Sequence, residues 1–160
     1  MKQKRKIGLL SLFLVLSMLV FTACGQEKKA ANSVIHVGTN AEFPPFEYID
    51  ENGEIAGFDV AVMKAIGEEM GYDVEFTNME FKSLTASLKT GGLDAVAAGM
   101  TITEDRKQSV DFSDGYYEAT QCIVVSKDSP VTAMKDLEGK NVIVPEGTAI
   151  QYFWENYAAE

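Results

Sequence analysis

The apolar positions of this chain change period several times after residue 33, and each change marks an element. Residues 34–39 alternate and predict a short strand. Residues 46–57 predict a hairpin, with Asn52-Gly53 supplying the left-handed turn positions. Over 58–70 the spacing becomes helical, with Val62, Ile66 and Met70 in line with Phe58, and Gly71 stops the helix. A strand follows at 72–77. A second helix at 81–89 carries Leu84 and Leu88 on one face and ends at Gly91-Gly92. Residues 94–98 are compact and apolar, as in a strand buried on both faces. Thr103 caps a short helix whose first turn holds Glu104 and Asp105, where negative charge suits the helix dipole. Beyond it the pattern predicts a strand at 120–126, a brief helix at 132–137, a strand at 141–144 and a helix at 148–158. Strands alternating with helices through short links imply an α/β fold with a largely parallel sheet.

The amino-terminal pattern is of another kind. A basic run, Lys2 to Lys6, precedes 15 residues (7–21) that are apolar or small. A membrane-spanning helix needs about 20 residues, so this stretch fits the core of a secretory signal covering 1–23. Thr22-Ala23-Cys24-Gly25 resembles the lipobox of bacterial lipoproteins, in which cleavage precedes the cysteine and the thiol takes lipid. Phe21 stands where that pattern prefers leucine. An uncleaved anchor helix is the alternative, and either way the remainder lies outside the cytoplasmic membrane. Residues 24–33 read as a lipid-anchored tether, polar and small from Gln26 on. With Cys24 lipidated, Cys122 has no partner, and its apolar neighbours Ile123, Val124 and Val125 predict a buried, inert thiol. His36, the single histidine, sits at strand spacing and reads as structural. Nothing in the pattern calls for a metal or a cofactor.

Composition adds limits. With 160 residues and 46% hydrophobic content, the chain has material for one typical domain, or one and a half small ones. All four charges of the first 23 residues are basic, so the remaining 137 carry 10 basic and 24 acidic side chains. So acidic a surface repels phosphate backbones and excludes nucleic acid as a partner.

Ligands of parallel sheets bind beyond the carboxyl ends of the strands, which directs attention to the residues that follow each strand. These are Asn40, Glu42, Phe43 and Phe46; then Met79, Glu80 and Phe81; then Gly99 to Thr103 with Arg106; and finally Gly147 and Thr148 at a helix start. Together they offer aromatic plates, hydroxyls, an amide, a guanidinium and backbone N–H groups, which suit a small ligand bearing a carboxylate. Gly99 lets a ligand approach the backbone closely. Each residue also has an ordinary use. Phe43, Phe46 and Phe81 could be core, Arg106 could pair with Glu104 or Asp105 on the surface, and Thr101 and Thr103 could serve turns and caps.

Seven strings carry a family resemblance: Gly38-Thr-Asn-Ala-Glu-Phe-Pro-Pro-Phe46, Gly57-Phe-Asp-Val60, Leu93-Asp-Ala-Val96, Ala98-Gly-Met-Thr-Ile-Thr-Glu-Asp-Arg106, Val110-Asp-Phe-Ser-Asp-Gly-Tyr-Tyr117, Leu137-Glu-Gly-Lys140 and Gly147-Thr148. In their order and spacing the chain resembles the extracellular solute-binding proteins of family 3, the polar amino-acid receptors of ATP-binding-cassette importers. The resemblance implies a periplasmic-binding-protein-like fold of two α/β lobes that close on a ligand like a hinge. It puts a nearly complete first lobe at 34–117 and a partial second lobe at 118–160. By the same resemblance, the rings of Phe43 and Phe81 sandwich the substrate, and Gly99 and Thr101 hold its α-amino and carboxylate groups. Arg106 grips the carboxylate, and Thr148 and the backbone of Ala149 reach it from the second lobe. Asn40 falls where several relatives carry an aspartate that contacts the ligand side chain, while Glu42 stands near it.

The expected activity is therefore capture, without chemistry, of a small polar amino acid and its delivery to the membrane permease of the importer. The protein is expected to be a monomer held at the membrane by lipid on Cys24. The family pattern continues past the point where this chain stops, through an acidic residue that pairs with the ligand's ammonium and a second hinge strand, so the chain is expected to be a fragment that binds weakly. Two other functions fit the same fold. A periplasmic cyclic-amino-acid dehydratase would need an acid or base in the cleft, for which Glu42 and Glu80 are the candidates. A sensory domain of a membrane receptor would need a transmembrane helix and signalling region downstream.

Overall fold

The computed structural model describes residues 33–157. The expected signal, Cys24, the tether as far as residue 32 and the final residue of the 148–158 helix lie outside them.

The predicted strand–helix alternation builds two small sheets. Strand β1 (Val34–Thr39) lies between β5 (Asp73–Asn78) and β6 (Ala95–Val96), parallel to both. The register runs from Val34 opposite Asp73 to Thr39 opposite Asn78, with Val37 opposite Ala95 on the other side. Backbone bonds from Asp94 N to His36 O (2.9 Å) and from Ala97 N to Gly38 O (3.0 Å) flank the short β6 pairing, so the 94–98 expectation holds in substance. The second sheet is an antiparallel meander of β2 (Glu42–Phe43), β3 (Glu47–Ile49) and β4 (Ile55–Ala56). Its β3–β4 turn contains the predicted Asn52-Gly53, with Gly53 at φ 84°.

Helix α1 (Phe58–Met70) ends at Gly71, whose φ of 77° is the left-handed conformation its sequence position predicts. Helix α2 (Phe81–Lys89), the short α3 (Glu104–Lys107), a 3-10 turn (Met134–Leu137) and α4 (Ala149–Tyr157) complete the elements. α1 packs along β5, and α2 packs against β6 and β1. Leu84, Leu93 and Ala98 form a fully enclosed cluster, bordered by Met79, Phe81, Leu88, Val96 and Met100. Gly38 makes this cluster possible: a Cβ there would stand 2.4 Å from Leu93 Cδ1 and 2.8 Å from Leu84 Cδ2.

Four expectations need correction. The inward face of α1 is Asp59, Val60 and Gly67, whereas Phe58, Ile66 and Met70 are exposed. A strict i+4 row drifts by about 40° per step around a helix, so it does not stay on one face over three turns. The helix turns Gly67 inward because a Cβ there would meet Val74 Cγ2 at 2.3 Å, and only glycine allows that approach to β5. The strands expected at 120–126 and 141–144 are not formed; both segments are irregular. A strand exists through its ladder partner, and among the described residues neither segment has one. For the same reason Cys122 is exposed, not buried.

Candidate functional site

The carboxyl ends of β1 and β5 are tied together before any ligand is considered. Met79 N donates to Thr39 O (3.0 Å), and Ala41 N donates to Asn78 Oδ1 (2.9 Å). Asn40 Nδ2 donates to Met79 O (3.2 Å), so its amide braces the strand end that leads into Phe81. Phe81 then opens α2 with its ring against the Leu84 cluster.

Arg106 reaches this ring from α3. Thr103 caps that helix as predicted, its hydroxyl accepting from Arg106 N (3.2 Å). The guanidinium carbon lies 5.5 Å from the centre of the Phe81 ring, within cation–π range. Nη1 donates to Thr101 O (2.6 Å) and Nη2 to Gly147 O (2.9 Å). The ordinary alternative, a surface pair with Glu104 or Asp105, is not formed; Glu104 bonds Lys107 at 2.8 Å instead. Burial lowers the Arg106 pKa, the cost of holding a cation partly out of water; Tyr152 and Asp105 oppose that shift weakly.

The loop before α4 comes to the same place. Lys82 Nζ lies 2.9 Å from Glu146 Oε2 and 3.4 Å from Glu80 Oε2, and Gly147 packs on the backbone of Lys82, where a Cβ would come within 2.9 Å of its Cα. Thr148 Oγ1 donates to Pro145 O (2.7 Å) and accepts from Gln151 N (3.3 Å), which caps α4. Gly147 N is taken by Gln151 Oε1 (2.6 Å). Ala149, the first residue of α4, is half-buried beside them.

Phe43 is 55% exposed and stacks on Phe46 with centroids 5.5 Å apart. Its ring borders Gly99, where a Cβ would stand 3.4 Å from two ring carbons. Gly99 has φ 53°, which favours glycine, and its N–H donates to Asp59 Oδ2 (2.7 Å), leaving its carbonyl as the backbone group available to a ligand. The structure thus brings Phe81, Thr101, Arg106 and Gly147-Thr148 into one cluster, sets Phe43 beside Gly99, and uses Asn40 to brace. A groove of about 440 Å3 lined by Ile102, Lys107, Val110 and Asp111 includes none of these residues.

Sequence reasoning missed Glu47, Asp59 and Tyr116. Both carboxylates are almost wholly buried behind Gly99, and Tyr116 OH donates to Asp59 Oδ2 (2.8 Å). Asp59 lies in the string Gly57-Phe-Asp-Val60, but a charged residue in the first turn of a helix ordinarily reads as solvated. The two acids that could serve elimination chemistry, Glu42 and Glu80, are both exposed.

A parallel sheet flanked by helices, with a ring, a guanidinium and the start of α4 brought together beside its strand ends, is an α/β architecture of the periplasmic-binding-protein type. The model of the bacterial extracellular solute-binding proteins, family 3, matches residues 35–151, and the chain belongs to that family. The arginine-binding extracellular protein ArtP of Bacillus subtilis (strain 168) is 44% identical over 142 residues, covering 86% of this chain and 55% of that protein. The probable histidine-binding protein of Neisseria gonorrhoeae is 42% identical over 137 residues, covering 81% and 51%. The solved structure of an ancestral arginine-binding protein bound to arginine is 46% identical with a TM-score of 0.76, covering 79% of this chain and 56% of that one. The chain therefore spans about half the length of the relatives it matches, and these are named as binding proteins, not as enzymes.

Proposed function

We propose that this chain is the amino-acid-gripping part of an extracytoplasmic receptor that delivers a small polar amino acid to the permease of an ATP-binding-cassette importer. The observation that carries this is Arg106: a partly buried guanidinium on the Phe81 ring, with two N–H groups held by carbonyls and no carboxylate partner among the described residues. Such a group favours an incoming carboxylate, which it can grip with charge-assisted bonds. In this reading Phe43 and Phe81 enclose the ligand, the Gly99 carbonyl accepts from its ammonium, the Thr101 hydroxyl and the Thr148–Ala149 turn contact its carboxylate, and Asn40 lies near its side chain. Arginine is the first ligand to test, because relatives at 44–46% identity are named for it. The lobes at 34–117 and 118–160, the signal at 1–23, the tether and lipid on Cys24, and a monomeric state belong to the same proposal.

The test is an amide-resolved NMR titration of the chain with arginine, histidine, glutamine and the other amino acids, which detects even millimolar binding. At least one polar amino acid should shift Gly99, Thr101 and Arg106 saturably. Arg106→Ala should weaken that binding by about 1.5 to 3 kcal/mol, the range for a hydrogen bond to a charged group. A loss below about half a kcal/mol, or no response to any amino acid at 10-fold excess over millimolar protein, removes the assigned role.

A further inference from the structure

Two carboxyl groups sit behind the site loop with almost no solvent: Glu47 and Asp59 are each 1% exposed. Among the described residues no ion pair includes either. Asp59 Oδ2 accepts from Gly99 N at 2.7 Å and from Tyr116 OH at 2.8 Å, while Asp59 Oδ1 and Glu47 Oε2 receive no donor from the described residues. Both carboxyls flank Gly99: Asp59 from α1 takes its N–H, and Glu47 Oε1 would stand 3.6 Å from a Cβ there; Asp59 and, through it, Tyr116 are the titratable groups whose charges act on Glu47, and Phe43 is its partner in the β2–β3 ladder. Two anions side by side in such a place repel each other and lack solvation, and a single proton between them removes both costs. Asp59 accepts two donors and is the anion of the pair, so the proton belongs on Glu47.

We infer that Glu47 and Asp59 share one proton and act together as positioning residues of the binding site. Neutral Glu47 donates to Asp59, and ionised Asp59 fixes both Gly99 in the site loop and Tyr116 in the segment that leads out of the first lobe. Gly99 is thereby held with its N–H turned inward and its carbonyl left for a ligand. Tyr116 continues into Tyr117, whose ring meets Phe46 edge-on at 4.8 Å, and Phe46 stacks on Phe43, so the latch also sets the aromatic wall. This rests on the amino-acid-binding reading for its purpose, but not for its test.

Glu47 is pushed up to about 8, first by burial, then by the charge of Asp59 and the hydrogen bond to it. The unfolded chain releases the same proton near the ordinary glutamate value of about 4.3. Between those values the folded state holds more protons, so stability is full below the lower value, falls as pH rises, and levels off above about 8. Burial and the bond to Asp59 also raise the Tyr116 pKa, so its O–H stays a donor throughout.

The experiment uses the unliganded chain. Carbon-13 NMR should show the Glu47 carboxyl titrating above pH 7, with the Gly99 amide proton shifting at the same midpoint. Glu47→Gln, whose amide can donate to Asp59 at every pH, should abolish the Gly99 titration and flatten the fall of melting temperature between pH 5 and 8. A Glu47 midpoint below pH 5, or a Gly99 titration that survives in E47Q, overturns the shared proton. If the pair titrates as expected but no amino acid binds, the latch stands and the receptor reading fails.

Discussion

Arg106 commits two of its five N–H groups to carbonyls of Thr101 and Gly147, and among the described residues its remaining N–H groups have no carboxylate partner. Its place after a strand and a capping threonine was legible in the sequence, because Thr103 and the two acids of the first turn announce a helix start there. The Glu47–Asp59 pair was not legible, because a local pattern cannot distinguish an acid that faces solvent from one that faces another acid. Cys122 shows the same limit from the other side: its apolar neighbours suggested burial, and it is exposed. A thiol reagent should therefore modify Cys122 in the native chain at a rate close to that in denaturant. Protection by more than about 100-fold would indicate burial, since reaction would then await local opening.

At the scale of elements, α2 and β5 were read from periodicity almost to the residue, and so was α1 in its limits but not in its orientation. What turned α1 was close packing, Gly67 against Val74, which depends on a residue seven positions away in another element. Gly38 makes the same point at the sheet centre. Gly38→Ala should destabilise the chain by about 1 to 3 kcal/mol, the usual cost of overpacking, because Leu84 and Leu93 are too enclosed to yield. Urea denaturation checks this, and a change under about 0.5 kcal/mol, the scatter expected of surface positions, would mean that the two leucines move aside freely.

At the scale of the whole molecule, the described residues fall into an ordered α/β part and a long irregular stretch between α3 and the 3-10 turn. In the irregular segments Val124 is 90% and Ile143 96% exposed. Extended apolar backbone without a ladder partner invites association with other chains. Val124→Lys combined with Ile143→Lys should lower concentration-dependent light scattering while leaving the unfolding free energy within about 0.5 kcal/mol, as for other surface changes. Unchanged scattering would show that these segments do not drive association. By itself the sequence determined the alternation of elements as far as α3, their ends at Gly71 and Thr103, and the residues that follow β1, β5 and β6, because turn chemistry and hydrophobic period act over a few neighbours. Only the tertiary structure decided which face of α1 is inward, which apolar runs find a partner strand, and that Glu47 and Asp59 meet, because those outcomes depend on groups far apart in the chain sharing one buried space.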